Sequence, residues 1–320
     1  MLSAMAPRPP ISVVVPLHQK RATVARCLTS IVQQTRPPDE IVVVDDGSSD
    51  DGAAIVASYP DDRIRLIRQA NAGPGAARNR GARASGGDYV AFLDADDAWE
   101  PSFLEQVAAR LDADAALGAA ACSYATHGRD LLPLWRRRGL RDGTFRVGPA
   151  TPAHRVVSAV AFMSPCTTVV RRSAFERHGG FYERDHCRYG EDAFFFLRLL
   201  LGEPVSLVLK SLVRVDAASS ALNRSTAARP VEPLFAAAGE LRRSAPPELV
   251  PLLREVLALR AGKTACVATY WGRHAEARGL VADFTALRDL RHPWVLAARL
   301  CAAGLGPLAA GAARLALASR

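Results

Sequence analysis

Short apolar runs alternate with helical patterns through the first hundred residues of the chain. The runs lie at 11–15, 41–44, 64–67 and 89–93. They are rich in β-branched and aromatic residues, which favour strands, while 22–34 and 76–84 carry the spacing or the flanking turns of helices. Uninterrupted apolar strands separated by helices predict an α/β fold with a doubly wound, mostly parallel central sheet flanked by helices.

The middle of the chain is less regular than the first hundred residues. Strands are predicted at 119–125, 167–170 and 205–215, and helices at 173–178 and 191–201. An inserted loop or short helices are predicted at 131–147, where Trp135 precedes three arginines. We interpret that basic run as a solvated face, or as a surface that meets an anionic or lipid-linked molecule.

The composition changes to Ala, Leu and Arg beyond about residue 217, with prolines between short helical patterns. We predict a disordered lead at 1–10 that is not a signal peptide, a main domain at 11–225 and a helical C-terminal region at 226–320. The longest uncharged run of the tail, 300–313, is shorter than the roughly 20 residues that a spanning helix needs. Two interpretations of the tail stay open, a packed helix pair and a peripheral contact with a membrane.

The net charge of +9 lies in the second half of the chain. Residues 1–150 contain 18 Lys and Arg against 18 Asp and Glu, whereas residues 151–320 contain 23 against 14. A basic half is typical of proteins that meet anionic membranes, acidic substrates or nucleic acids. Since no basic cluster is interleaved with aromatic residues, nucleic acid is the least favoured partner.

Six cysteines are scattered along the chain without any Cys-x-x-Cys pair. They are Cys27, Cys122, Cys166, Cys187, Cys266 and Cys301. This spacing argues against a structural zinc site and favours free thiols in a reducing compartment, so we predict a cytoplasmic protein. A peripheral contact with the inner face of the membrane is compatible with that location.

Three carboxylates directly follow the apolar run at 89–93. Asp94, Asp96 and Asp97 close a segment that otherwise resembles a buried strand, where unpaired charges are costly. In open α/β sheets, ligands bind at the carboxyl ends of the strands. Two carboxylates in an Asp-x-Asp pattern can reach one divalent ion, and oxygen ligands suit Mg²⁺ or Mn²⁺. The alternative for an isolated Asp-x-Asp is an acidic loop in water.

Other acids and a glycine turn are expected to converge with this motif. Asp45 and Asp46 follow the second strand, and Glu191-Asp192 is interpreted as a third acidic cluster at the end of a strand. The turn at 73–75 would bring a helix N-terminus to the same edge, where a nucleoside diphosphate would sit with its metal. Arg78, one turn into that helix, either faces the nucleotide or is an ordinary solvated arginine.

Taken in order, these blocks resemble the family 2 glycosyltransferases, which have a GT-A fold. The blocks are 13–17, 41–50, 71–81, 92–97, 179–181 and 190–192. They agree in order and spacing over about residues 11–200. The resemblance implies an inverting transferase that uses a nucleotide sugar and a divalent metal, Mn or Mg. Its GT-A-type catalytic domain at 11–225 would have a nucleotide-binding half at about 11–118 and an acceptor half at about 119–225.

The resemblance also implies roles for individual residues. Those expected to bind the nucleotide are Pro16, His18, Asp45, Asp46, Arg78 and Asp94. Asp46 would accept a hydrogen bond from the base, and Asp94 would contact the ribose or help Asp96 to hold the metal. Asp192 would be the general base that deprotonates an acceptor hydroxyl, with Glu191 beside it. A single base and a direct displacement imply inversion, since no second carboxylate nucleophile is needed.

Some positions depart from the family pattern or leave alternatives open. His18 and Gln19 stand where the family usually has an aromatic residue and an asparagine, so the base is not assigned, although a UDP-sugar is favoured. His178 and His186 flank the acceptor motif and are candidates for lining its pocket. Two rival functions remain: a sugar nucleotidyltransferase, disfavoured because no glycine follows the first strand, and a non-catalytic binder of nucleotide sugars. The preferred setting is cell-surface polysaccharide or glycoconjugate synthesis, with a saccharide acceptor that is free or lipid-linked.

Overall fold

The computed structural model describes residues 8–216 and 230–284. Its first part alternates strands and helices as the apolar pattern predicts. The elements are β1 (Ile11–Leu17), α1 (Val24–Val32), β2 (Glu40–Asp46), α2 (Gly52–Ala57), β3 (Ile64–Gln69), α3 (Pro74–Ala84) and β4 (Tyr89–Phe92). All neighbouring pairs in the order β3-β2-β1-β4 are parallel, so the carboxyl ends of these strands lie along one edge of the sheet.

Strand β1 continues two residues beyond the point where the sequence predicts its end. Pro16 lies within β1 and pairs in register with Val44 of β2. The pairing of β1 with β4 already ends at Val14, which pairs with Phe92. Alternate residues of a parallel strand direct their backbone N and O atoms toward the same neighbouring strand. The nitrogen of Pro16 therefore faces the side of β4, beyond the last residue pair of β1 and β4. The proline therefore removes no hydrogen bond from the sheet.

The second part of the sheet mixes strand directions. Its elements are β5 (Ala98–Trp99), α4 (Phe103–Ala113), β6 (Ala119–Thr126), β7 (Arg129–Asp130), α5 (Leu132–Arg137), β8 (Gly143–Phe145), α6 (Ala153–Phe162), β9 (Thr168–Arg171), α7 (Arg172–Arg177), α8 (Glu191–Gly202) and β10 (Val205–Val215). Antiparallel β9 joins β4 to β6, and β10 lies parallel to β6. The described residues thus form one continuous ten-stranded mixed sheet with flanking helices.

Within the described residues 230–284, four α-helices follow the undescribed segment 217–229. They are α9 (Pro233–Ala236), α10 (Ala238–Ser244), α11 (Val250–Tyr270) and α12 (His274–Asp283). Leu253 and Val256 of α11 are fully buried and belong to the same apolar core as Phe195 of α8 and Phe162 of α6. The C-terminal helices therefore pack directly on the helices that cover the second part of the sheet. The predicted domain boundary near residue 225 lies outside the described residues and stays a prediction.

Trp135 is not part of a solvated face. Its ring is only 3 % exposed and packs against Phe162 at a centroid distance of 5.5 Å, while Arg138 stacks on it. The sequence suggested a surface because three charged residues follow the tryptophan, but α5 turns the ring inward. The tail at 293–320, with its two open interpretations, lies outside the described residues. Within the described ranges, no helix is both long and apolar enough to cross a bilayer.

Candidate active site

Asp46 ties the end of β2 to the start of α3. Its carboxylate accepts hydrogen bonds from the backbone N–H groups of Ala72 (2.8 Å) and Gly73 (2.9 Å) and from Gln69 Nε2 (2.7 Å). These donors lie in or next to the predicted glycine turn. Asp46 is only 3 % exposed, so its charge is stabilised mainly by these oriented N–H dipoles and little by water. The turn and the acid form one unit at the sheet edge.

The other residues expected around a nucleobase lie at the same edge. Asp45 accepts a hydrogen bond from the N–H of Ser48 at 2.9 Å, and Pro16 is the last residue but one of the neighbouring strand β1. The ring nitrogens of His18 lie 3.2 and 3.3 Å from Nδ2 of Asn71, which also donates to the carbonyl of Asp46. The structure therefore brings His18 against the glycine turn, where its ring remains open to solvent.

Arg78 is buried and joins two acids that are far apart in the sequence. Its guanidinium donates to Asp94 Oδ1 at 2.6 Å and to Glu191 Oε1 at 2.8 Å, and it lies 5.3 Å from the ring centroid of Phe181. Only 4 % of the residue is exposed, so the alternative of a solvated helix arginine is wrong. Arg78 is the side chain that links the metal motif after β4 with the start of α8.

The two glycines of the turn allow the segment 182–187 to lie on the start of α3. Gly73 has φ 95°, and a Cβ there would lie 2.5 Å from the carbonyl oxygen of Cys187. A Cβ on Gly75 would lie 2.5 Å from the carbonyl oxygen of Tyr182. Any larger residue would push the segment 182–187 away. This contact closes one side of the site.

Asp94, Asp96 and Asp97 form a compact acidic turn. Lys20 Nζ lies 2.5 Å from Asp96 Oδ2, and Arg26 donates to the backbone carbonyl of Asp96 at 2.5 Å. Asp97 accepts a hydrogen bond from the N–H of Asp216 at 2.9 Å. Burial, followed by the charges of Asp94 and Asp96, raises the pKa of Asp97 to about 8. The three acids therefore lie close enough to repel one another, which favours the protonated form of Asp97.

The clustered carboxylates of this turn fit a hard divalent cation. Asp94 keeps 34 % of its side chain exposed. Asp94 and Asp96 both offer carboxylate oxygens, which are the ligands that Mg²⁺ and Mn²⁺ prefer. Among the described residues, potential ligand atoms of Asp94, Asp97 and Cys166 all lie within 4.8 Å of one another. Burial strongly raises the pKa of the Cys166 thiol, which disfavours the thiolate as a ligand. The carboxylates are the better candidates.

Glu191 and Asp192 do not end a strand, contrary to the expectation from their acidity. Strand β9 ends at Arg171, and the two acids form the first turn of α8, where the helix dipole favours negative charge. The two acids nevertheless lie near the strand ends, because Arg78 binds both Glu191 and Asp94, which follows β4. Burial raises the pKa of both carboxyls, that of Glu191 to about 7, while the charge of Arg78 opposes the shift.

The two histidines near the acceptor motif lie in different places. His178 contacts Glu203 at 3.3 Å and packs against Gly202, at the far end of α8 from Asp192, so it does not line a pocket there. His186 belongs to the segment that lies on Gly73. Its backbone has φ 49°, an uncommon conformation for a residue other than glycine. Only His186 therefore remains close to the site.

Sequence reasoning missed several residues that hold the site together. Asn79 donates to the carbonyl of Phe181 at 2.8 Å and accepts from its N–H at 2.9 Å, which fixes the turn before α8. Arg260 of α11 pairs with Glu232. The Cγ of Glu232 lies where it would touch a Cβ placed on Gly190. Asn79 stands inside the quoted block 71–81 and could have been singled out. Nothing local marks Lys20 or Arg260, because their partners are 76 and 28 residues away.

A parallel half-sheet whose strands end in two acidic turns, extended by a mixed half, is the architecture of the GT-A glycosyltransferases. The crystal structure of residues 1–349 of TarS from S. aureus superimposes with a TM-score of 0.70, covering 97 % of this chain and 92 % of that one. The two sequences are 17 % identical, so the likeness shows the fold. The expected GT-A-like α/β class is confirmed.

The chain belongs to glycosyltransferase family 2. The family model described as "Glycosyl transferase family 2" matches residues 12–179, more than half of the chain. Succinoglycan biosynthesis protein ExoO of Rhizobium meliloti is 41 % identical over 208 residues, which cover 64 % of this chain and 56 % of that protein. The putative glycosyltransferase EpsH of Bacillus subtilis is 36 % identical over 101 residues, 31 % of this chain and 29 % of that protein. The chain thus spans less than two thirds of either relative's length.

Proposed function

We propose that this protein is an inverting, metal-dependent glycosyltransferase that moves a sugar from a nucleoside diphosphate to a hydroxyl acceptor. The observation that carries the proposal is the Arg78 bridge, which holds Asp94 of the metal motif and Glu191 of the acceptor motif within hydrogen-bond distance of one guanidinium. Donor chemistry and proton removal must occur side by side in such a transfer. The bridge puts the corresponding residues side by side.

The donor would lie across the carboxyl ends of β1, β2 and β4. Pro16, His18, Asp45 and Asp46 line the part of this edge next to the glycine turn, which suits a nucleobase. Solved structures of TarS contain UDP and UDP-GlcNAc, which supports a UDP-sugar as donor. Asp94 would contact the ribose or share the metal with Asp96. A divalent ion bound there would stabilise the negative charge that develops on the leaving diphosphate.

Asp192 would act as the general base. The acceptor hydroxyl has a very high pKa, so its proton must pass to a carboxylate as the new bond to the anomeric carbon forms. Asp192 lies in the first turn of α8 and keeps part of its surface exposed, whereas Glu191 is engaged by Arg78. Its raised pKa makes Asp192 a stronger base than an ordinary aspartate. Direct displacement with one base inverts the anomeric carbon.

The acceptor and the biological setting are proposed at a coarser level. ExoO and a second relative, ExoW of the same organism, are named for succinoglycan biosynthesis. We therefore propose a saccharide hydroxyl, free or lipid-linked, as the acceptor, and synthesis of a surface polysaccharide or glycoconjugate as the setting. The charge of the second half of the chain is compatible with a peripheral contact at the inner face of a membrane.

A ligand screen followed by a transfer assay tests the proposal. The purified protein would be heated with UDP-, GDP- and dTDP-sugars, with and without Mn²⁺, because selective binding raises the melting temperature. We expect one donor to stabilise the protein only with Mn²⁺, and Asp96→Ala but not the exposed control Asp62→Ala to abolish that shift. Folded Asp96→Ala and Asp192→Asn variants that both transfer sugar at the wild-type rate would refute the mechanism. Donor binding without transfer or hydrolysis would favour a non-catalytic binder.

A further inference from the structure

Lys20 pairs with the carboxylate of Asp96 in the middle of the acidic turn. Its ammonium lies 2.5 Å from Asp96, and the two side chains are only 23 % and 11 % exposed. Asp96 is also the residue that the family resemblance assigns to the metal. A lysine ammonium and a divalent ion would therefore compete for the charge of one carboxylate, and each weakens the attraction of Asp96 for the other.

The backbone before Lys20 is held in an uncommon conformation that leads the chain into this position. Gln19 has φ 54°, a conformation that costs free energy for a residue other than glycine. Its N–H donates to Ser48 Oγ at 3.2 Å and its side-chain amide donates to Ser49 Oγ at 2.8 Å. The carbonyl of Lys20 then accepts the N–H groups of Thr23 and Val24, both at 3.0 Å, ahead of α1. The turn after β2 thus fixes where Lys20 leaves the main chain.

We propose that Lys20 is an internal cation that occupies Asp96 until the metal and the nucleoside diphosphate arrive together. When a divalent ion takes Asp96, the displaced ammonium would pair with the diphosphate, a neighbouring anion. Lys20 would therefore weaken binding of the metal alone and strengthen the mutual dependence of metal and nucleotide. The inference rests on the proposed function and deepens it by assigning the residue that couples metal binding to nucleotide binding.

Binding of Mn²⁺, followed by the electron paramagnetic resonance signal of the free ion, tests this role without any turnover. Lys20→Met should bind Mn²⁺ alone about fivefold or more tightly than wild type, since it no longer has to break a partly buried ion pair. The factor by which UDP strengthens Mn²⁺ binding should fall in the same variant, and Mn²⁺ must alter UDP binding equally. Lys20→Arg, which keeps the charge, should remain close to wild type.

Two controls separate this role from a general effect of charge or from failure of the site. Arg21→Met removes the next cation along the chain, which is 67 % exposed and pairs with Asp51, and should change Mn²⁺ affinity less than about twofold. Asp96→Asn should abolish Mn²⁺ binding. Equal Mn²⁺ affinity of Lys20→Met and wild type, or an unchanged UDP dependence, would overturn the Lys20 proposal alone. Absence of Mn²⁺ binding in wild type, even with UDP, would overturn both this proposal and the metal-dependent function.

Discussion

The two sides of the site hold their carboxylates in different ways. On the donor side, Asp45 accepts the N–H of Ser48 and Asp46 accepts those of Ala72 and Gly73, so backbone dipoles at strand ends and turns position them. On the acceptor side, Glu191 depends on the side chain of Arg78, which is 113 residues away in the sequence. The two acids that follow β2 are held by backbone N–H groups, whereas Glu191 is held by a long-range ion pair.

This difference predicts how each side responds to substitution. Backbone N–H groups survive every substitution except one to proline, so Asp45 and Asp46 keep most of their hydrogen-bond donors when a neighbouring side chain is changed. A buried ion pair instead leaves an uncompensated charge when one partner is removed, which is much more costly. We therefore expect substitutions of Asp192 and Arg78 to have larger effects than substitutions of Asp45 and Asp46, the two acids that follow β2.

The largest effect is expected for Asp192→Asn. Removing a general base typically costs a factor of about 10² to 10⁴, so transfer should fall by that factor while the affinity for the donor is retained. Transfer by purified protein and UDP binding by calorimetry would measure the two quantities. Asp62→Asn, an exposed acid after α2, is the matched control and should behave as wild type. Loss of donor binding together with transfer would place Asp192 on the donor side and contradict the comparison.

The next largest effect is expected on stability, for Arg78→Met. The substitution leaves Asp94 and the buried Glu191 without their common partner, so the free energy of unfolding should fall by about 3 kcal/mol or more. Arg83→Met on the same helix removes an arginine that is 63 % exposed and should cost less than about 1 kcal/mol. Urea unfolding followed by circular dichroism measures both.

A second substitution shows whether the cost arises from the unpaired charge. The double variant Arg78→Met/Glu191→Gln should be more stable than Arg78→Met alone, because a neutral amide replaces the buried carboxylate that lost its partner. Strictly additive effects would mean that the two residues do not interact in solution. In that case the Arg78 bridge would not be what joins the two sides of the site.

The same contrast explains which parts of the molecule the sequence could predict. The strands of the parallel half, the glycine turn and the acids at 45–46 and 94–97 follow from apolar periodicity and from residues that end strands locally. The helix that begins at Glu191 follows from the pattern, but the acidity of Glu191-Asp192 alone does not distinguish a strand end from the first turn of that helix. The burial of Arg78 and the pairing of Lys20 with Asp96 depend on contacts between distant segments, which periodicity does not encode.

A smaller effect is expected for Asp46→Ala on the donor side. The substitution leaves the N–H groups of Ala72 and Gly73 without their acceptor and should lower the free energy of unfolding by about 1–2 kcal/mol. Asp46→Asn keeps an acceptor oxygen and should cost less. Asp45→Ala, which removes the partner of one backbone N–H group, should also cost less than Asp46→Ala in the same urea titration. An equal or larger loss for Asp45→Ala would contradict this account of the donor side.

The smallest expected effect is a shift in the pH profile of the transfer rate, caused by substituting Arg260 in the C-terminal helix α11. Burial raises the pKa of Asp192, the charges of Arg78 and Arg260 oppose that shift, and the charge of Glu232 adds to it. Since the base must be deprotonated, removing a positive charge should move the acidic limb of the rate profile to higher pH. Arg260→Met should therefore shift this limb upward by about half a pH unit, equivalent to about 0.7 kcal/mol.

Two further variants decide whether this shift is electrostatic. Glu232→Gln removes the negative charge next to Gly190 and should move the limb to lower pH, opposite to Arg260→Met. Arg260→Lys keeps the positive charge and should restore a profile close to wild type. Loosened packing of α11 against the start of α8 would lower the rate at every pH and would not reverse sign with the charge removed. A lower rate at every pH with no shift of the limb in Arg260→Met and Glu232→Gln would therefore show that the C-terminal helices act on the base through packing alone.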